Sequence, residues 1–242
     1  MDGVTTGFQR ARSEEQREAR RQAILSTAAT MLTEMPVADI SLNELSRRVG
    51  LAKSNVLRYF ESREAVLLEL FDDAWREWLD KLTTTAPPRS DGPVRPRYEA
   101  LVEVMTASLV ARPLLCELVS VSAGVLERNI SPTVARRYKA AALANTQRLG
   151  DIVRDRLPEL GPAGAIHFAA GTFLTAGGIW PLAHPTEAML CVYEEPGMAC
   201  MRIDFAAALR ETLATVLAGC LARWPASVGA ESTVFPHLSR TE

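Results

Sequence analysis

The sequence predicts an all-α protein, and three observations carry that reading. Nearly every apolar segment repeats at the i, i+3, i+4 spacing of one helix face, and no run sustains the alternation of a half-buried strand. Residues that open and stop helices stand at the ends of these segments, Ser41 and Gly50 among them. The chain has 242 residues, 48% of them hydrophobic, enough to bury the shared core that amphipathic helices need.

The first helix is expected over about 14–34, with Ile24, Ala28, Met31 and Leu32 on one stripe and arginines ahead of it. Asp39-Ile40-Ser41-Leu42-Asn43-Glu44-Leu45 then reads as a helix start. Ser41 accepts from the amide three residues on, Glu44 reaches back, and Ile40 packs on Leu45. That helix stops at Gly50, whose missing Cβ suits left-handed backbone, and another begins within two residues. Two helices of about seven residues joined through a glycine corner form a helix-turn-helix pattern. Leu42, Leu45, Val49, Leu51, Val56 and Leu57 are its expected core, leaving Lys53, Ser54, Asn55 and Arg58 outward. Ser62 caps a long helix through Leu82, striped by Leu67, Leu70, Phe71, Ala74 and Trp78, until "TTTAPPRSDGP" breaks it. Beyond the break, helices are expected at about 94–111, 114–127, 132–157, 163–180 and 199–223, the third opened by Ser131 and Pro132. "HPTEAMLCVYEEPGM" reads as a loop. The domains expected are 1–62, 63–224 and a flexible tail over 225–242.

Composition excludes several function classes. Lys and Arg total 27 against 29 Asp and Glu, so bulk charge offers no general attraction to nucleic acid or anionic membrane. Residues 1–60 nevertheless hold nine Lys/Arg against seven Asp/Glu, concentrating basic charge at the N-terminal end. Cys116, Cys191, Cys200 and Cys220 lack metal-site spacing, and no signal peptide precedes them, which fits free thiols in a reducing cytoplasm. Residues 160–186 lack Asp, Glu, Lys and Arg, but His167, Thr172, Thr175, glycines and prolines interrupt them, as in a buried helix rather than a membrane span. His167, His184 and His237 share no acid or cysteine pattern and no glycine-rich phosphate loop appears, so neither enzyme activity nor a cofactor or metal is expected.

A helix-turn-helix reads DNA by placing the start of its second helix in the major groove. Lys53 can donate to guanine, Asn55 can pair bidentately with adenine, and Ser54 is adaptable. Arg47, Arg48, Arg58 and Arg63 suit phosphates, as do the N-terminal arginines. The same residues also fit a helical corner with an ordinary charged solvent face, and the pattern by itself leaves both readings open.

Residues 17–70 resemble the DNA-binding domain of the TetR/AcrR family of transcriptional regulators. The resemblance rests on the helix ending near "MLTE", the Ile-Ser-Leu-x-Glu-Leu opening, the Arg-Val-Gly-Leu-x-Lys corner and Tyr-Phe-x-Ser-Arg-Glu-x-Val-Leu. It implies that Ser41 and Leu42 lie near the DNA backbone and that Lys53, Ser54 and Asn55 face bases. It also implies that Tyr59 contacts DNA while Phe60 packs inside, and that Arg63 stands where a phosphate-contacting Lys is usual. Ala52 replaces the common Ser/Thr cap of the second helix, and Leu57 replaces a Tyr that often touches phosphate. "RPLLCELVSVSAGVLERNISP" is similar to the regulatory domain of one branch of the family. The family architecture implies a homodimer through the last two long helices, in keeping with a stripe of Phe205, Leu209, Leu213, Val216, Leu217 and Cys220 that needs a partner.

A small-molecule effector would occupy a mostly apolar cavity. Trp78, Met105, Leu109, Cys116, Tyr138, Asn145, Phe168, Thr172 and Trp180 are candidates for its lining, each also fitting ordinary core, and Asn145 and Thr146 stand out as polar groups on an apolar face. The leading expectation is a repressor released from a pseudo-palindromic double-stranded DNA operator by an apolar or amphipathic molecule. The alternative is a ligand-independent, DNA-organising accessory protein.

Overall fold

The computed structural model describes the backbone of residues 3–226 and side chains from residue 14 onward. Residues 227–242 of the expected tail, His237 among them, and the side chains of Arg10 and Arg12 lie outside that range. The chain divides into two compact units, the first comprising Met1–Phe71 and Ser122–Arg136, the second Asp72–Val121 and Arg137 onward.

The first unit contains α1 (Gly3–Glu34), a 3-10 turn (Val37–Asp39), α2 (Leu42–Val49), α3 (Lys53–Val56) and the opening turns of α4 (Arg63–Thr85). α1 starts at Gly3 rather than near residue 14: no proline interrupts residues 3–13, and Gln9, Arg10, Ala11 and Arg12 are good helix formers, although Gly3, Val4, Thr5, Thr6 and Gly7 are not. Ile24, Ala28, Met31, Ile40, Leu45, Val56, Val66 and Leu67 form its fully buried core. Ser41 caps α2 as expected, its Oγ accepting from the Glu44 amide at 3.1 Å. Gly50 takes φ 74°, and the Leu51 amide behind it donates to the Ser46 carbonyl at 3.1 Å, closing the helix end.

Two local expectations fail here. Glu44 does not reach back to the cap, because its carboxylate is taken by Arg47 and Arg48. α3 has four residues instead of about seven, because the Arg58 and Tyr59 amides tighten into i−3 bonds with Asn55 and Val56. With the helix ending there, Val56 is buried but Leu57 is 43% exposed and does not belong to the core.

The second unit holds the rest of α4 with α5 (Val94–Val110), α6 (Pro113–Val121), most of α7 (Pro132–Arg156), α8 (Pro162–Ala183), α9 (Glu187–Tyr193) and α10 (Phe205–Arg223). α8 packs on α6 and α10, and α10 also packs on α5. α10 starts six residues later than position 199, where Asp204 Oδ1 accepts from the Ala207 amide at 2.7 Å. The stretch expected to be a loop includes α9, a helix of seven residues, too short for its periodicity to stand out. The stripe Phe205, Leu209, Leu213, Leu217 and Cys220 is buried within the chain, so it does not need a partner. α10 has the length and hydropathy of a membrane span, and the stripe named above is the part of it that is buried within the chain. Among the described residues the extended pairing is an isolated bridge between Leu160 and Pro225, beside which the Gly161 amide donates to the Trp224 carbonyl at 2.8 Å.

Candidate nucleic-acid interface

The Gly50 corner and α3 position a short row of polar side chains. Lys53, Ser54 and Asn55 are exposed and make no side-chain hydrogen bond among the described residues, and exposed Arg58 follows just beyond the helix. Val56 and Phe60, both buried, pin the opposite side of the same turn. A helix of one turn thus holds its outward groups free for hydrogen bonding at its N-terminal end, where base edges are reached when such a helix enters a major groove. Ala52 occupies the cap position with extended backbone (φ −62°, ψ 144°) and no side-chain bond to α3.

The flanking charges are not equally available. Arg47 and Arg48 share the Glu44 carboxylate, with Arg47 Nη2 at 2.6 Å and Arg48 Nε at 2.8 Å, and Arg48 also pairs with Glu34. These hydrogen bonds, Arg47's first, hold the Glu44 carboxyl down to about 2. Arg63 is turned inward. Its Nη1 donates to the Ile40 carbonyl at 2.9 Å and its Nη2 lies 3.1 Å from Glu64, so it braces the turn before Ser41 and Leu42. Arg21 also departs from the expected arginine arm. It pairs with Glu69, donates to the Tyr59 carbonyl and lies 4.5 Å over the Phe60 ring. Ser41 is exposed, while Leu42 and Tyr59 are half-buried at the edge of this surface.

Sequence reasoning missed the contribution of Ser122–Arg136 to this unit. A π-helical turn, Ser122–Leu126, buries Leu126, and the Ser131 amide donates to Glu61 at 2.6 Å. No local pattern pairs Glu61 with a backbone amide seventy residues away.

A family model described as bacterial regulatory proteins, tetR family, matches residues 24–70, and one for a tetracyclin repressor-like C-terminal domain matches residues 72–224. The chain belongs to the TetR family. The chain is similar to the HTH-type transcriptional regulator EthR of Mycobacterium tuberculosis, 45% identical over 53 residues, or 22% of this chain and 24% of that relative. EthR of Mycolicibacterium smegmatis is 42% identical over the same length. The chain thus matches about a quarter of these relatives' length. The fold is similar to a TetR-family regulator from Mesorhizobium loti (13% identity, TM-score 0.53, 86% of this chain and 98% of that one). It is likewise similar to the fatty acid degradation regulator FadR from Bacillus halodurans (15% identity, TM-score 0.52, 82% and 98%).

In this TetR-family chain the residues expected to line an effector cavity pack closely. Trp78, Met105, Leu109, Cys116 and Phe168 are fully buried. Their polar atoms, and those of the other candidates, have partners in the same unit. Trp78 Nε1 donates to Ser108 at 2.8 Å, Asn145 to Asp72 at 2.8 Å, Thr172 to the Phe168 carbonyl at 2.9 Å and Thr146 to the Ala142 carbonyl at 2.8 Å. Burial pushes the Cys116 thiol up to about 12, and its sulfur donates to the Leu109 carbonyl. Tyr138 is half-buried beneath Lys139, and Trp180 donates to Glu117 at 2.7 Å. His167 stacks on Trp224 and His184 on Trp180. The buried Thr106 hydroxyl on α5, which sequence reasoning passed over, has no hydrogen-bond partner among the described residues.

Proposed function

We propose that this TetR-family regulator is a homodimeric repressor that binds a pseudo-palindromic operator and leaves it when a small apolar or amphipathic molecule binds. In this reading, residues 1–62 form the DNA-binding domain and 63–224 the regulatory and dimerisation domain, acting in the cytoplasm. The observation that carries it is the free polar row Lys53, Ser54 and Asn55 at the N-terminal end of α3. These residues read bases, Ser41, Leu42, Arg58 and Tyr59 meet the DNA backbone, and Arg63 supports them from behind. The dimer reading draws on α8, where Leu174 is 77% exposed and Leu182 is 56% exposed, and on the small outward residues Ala207, Thr215, Gly219 and Ala222 of α10. Large apolar groups in contact with water beside a surface that permits close approach suit a helical interface. For the effector, the apolar interior around Met105 and Phe168 and the unsatisfied Thr106 hydroxyl favour a ligand with few polar groups.

The decisive experiment is gel retardation with the intergenic DNA upstream of the protein's own gene at moderate salt. Retardation that random DNA does not compete away is expected. Binding no tighter than to random DNA would remove the sequence-specific reading, and a ligand library that alters neither melting nor DNA affinity would favour the ligand-independent alternative.

A further inference from the structure

Beside α3 the first unit contains an open concavity of about 380 Å³ lined by Gln16, Arg17 and Arg20 of α1 and by Arg58 and Tyr59. Helical spacing places Gln16, Arg17 and Arg20 on one face of α1. One residue further on, Arg21 holds that helix to the segment after α3, through the Tyr59 carbonyl, the Phe60 ring and Glu69. The position of the arginines opposite Arg58 is therefore built in by a partly buried ion pair and does not depend on their own contacts.

Charge balance separates Arg17, Arg20 and Arg58 from the other described arginines between residues 14 and 71; Arg128 and Arg136 of the same unit also form no ion pair among the described residues but do not line the concavity. Arg21, Arg47, Arg48 and Arg63 each face a carboxylate. Arg17, Arg20 and Arg58 form no ion pair among the described residues, although Glu14, Glu15 and Glu18 lie on the same helix. Three uncompensated guanidinium groups around one concavity repel each other and focus a positive field there. Each presents a planar fork of donors that matches phosphate oxygens, and Tyr59 adds a hydroxyl and a ring edge.

We propose that this concavity is a phosphate site that grips the sugar-phosphate backbone of DNA just outside the segment read by α3, with Arg17 and Arg20 as its principal donors. The inference rests on the DNA-binding reading and extends the footprint from α3 onto α1. Of the two sources of phosphate, a DNA strand or a free phosphorylated molecule, the strand is favoured because Arg58 and Tyr59 join the site directly to the base-reading row.

The test compares full-length wild type, R17A/R20A and R17K/R20K on two 30-base-pair duplexes, one enriched by the wild type from random DNA and one of random sequence. Affinity is measured across a salt series. Each phosphate contact contributes about 0.9 to the slope of log affinity against log salt, so the alanine pair should lower the slope by about 2 on both duplexes, with unchanged preference between them. The lysine pair should restore the slope. Ethylation of phosphates flanking the selected site should impair wild-type binding but not the alanine pair. An unchanged slope in R17A/R20A overturns the proposal while leaving the regulator reading intact, as does an identical ethylation pattern. A wild type that binds neither duplex removes both. Inorganic pyrophosphate that raises the melting temperature of wild type but not of R17A/R20A, with no change in DNA slope, assigns the site to a free anion and overturns the DNA source.

Discussion

Lys53 and Glu44 show how differently two charged residues of one motif are employed. Lys53 has no side-chain partner among the described residues, so its removal should be felt where DNA is bound and not in folding. Lys53→Ala is expected to cost about 1–3 kcal/mol on the selected operator and less on random duplex, measured by fluorescence anisotropy. Equal loss on both would make Lys53 a phosphate contact. Glu44 works inside the motif. Its folded pKa of about 2 lies below the ordinary value near 4.3, so the ionised form is favoured by folding. The stabilisation is therefore present above about 4.3 and disappears as pH falls toward 2. The melting-temperature gap between wild type and Glu44→Gln should close as the pH is lowered from 5 to 2. A gap that stays constant would show that the Arg47 and Arg48 bonds do not persist in solution.

At the scale of elements, helix ends decide more than helix interiors. α3 is a single turn without a side-chain cap, and Ala52 already has the extended backbone of a cap residue. Ala52→Ser should add about 1 kcal/mol to stability in urea unfolding by accepting from an α3 amide. No gain would mean that the α3 amides are satisfied in another way. Gly161, which opens α8, is constrained in the opposite sense. A Cβ there would lie 2.9 Å from the Trp224 carbonyl oxygen, with backbone on that side that cannot step aside cheaply. Gly161→Ala is expected to destabilise the protein by about 1–3 kcal/mol, read as a lowered denaturant midpoint. The caps at Ser41 and Gly50 were legible because their residue types act over three or four positions. The short α3 and α9 were not, since one or two turns contain too few apolar repeats to establish a period.

For the whole molecule, the proposed dimer is the feature on which operator recognition depends. A two-fold pair of recognition helices requires half-sites about one duplex turn apart or a multiple of it. Leu174→Arg places a charge at the most exposed leucine of α8 and should yield a monomer in sedimentation that no longer retards operator DNA. A dimer of unaltered affinity would exclude that face of α8 from the interface.

The sequence by itself determined the helical class, the Ser41 and Gly50 helix ends and the outward row from Lys53 to Asn55, because periodicity and capping act between residues close in the chain. Only the tertiary structure decided which charges are free. Glu69 neutralises Arg21 from 48 residues away, two carbonyls of the preceding turn occupy Arg63, and Arg17 and Arg20 are left open beside Arg58. It also decided that the α10 stripe is filled by α8 and α5 of the same chain. An ion pair or a buried stripe depends on which helices lie side by side, and periodicity identifies an apolar face without identifying what covers it.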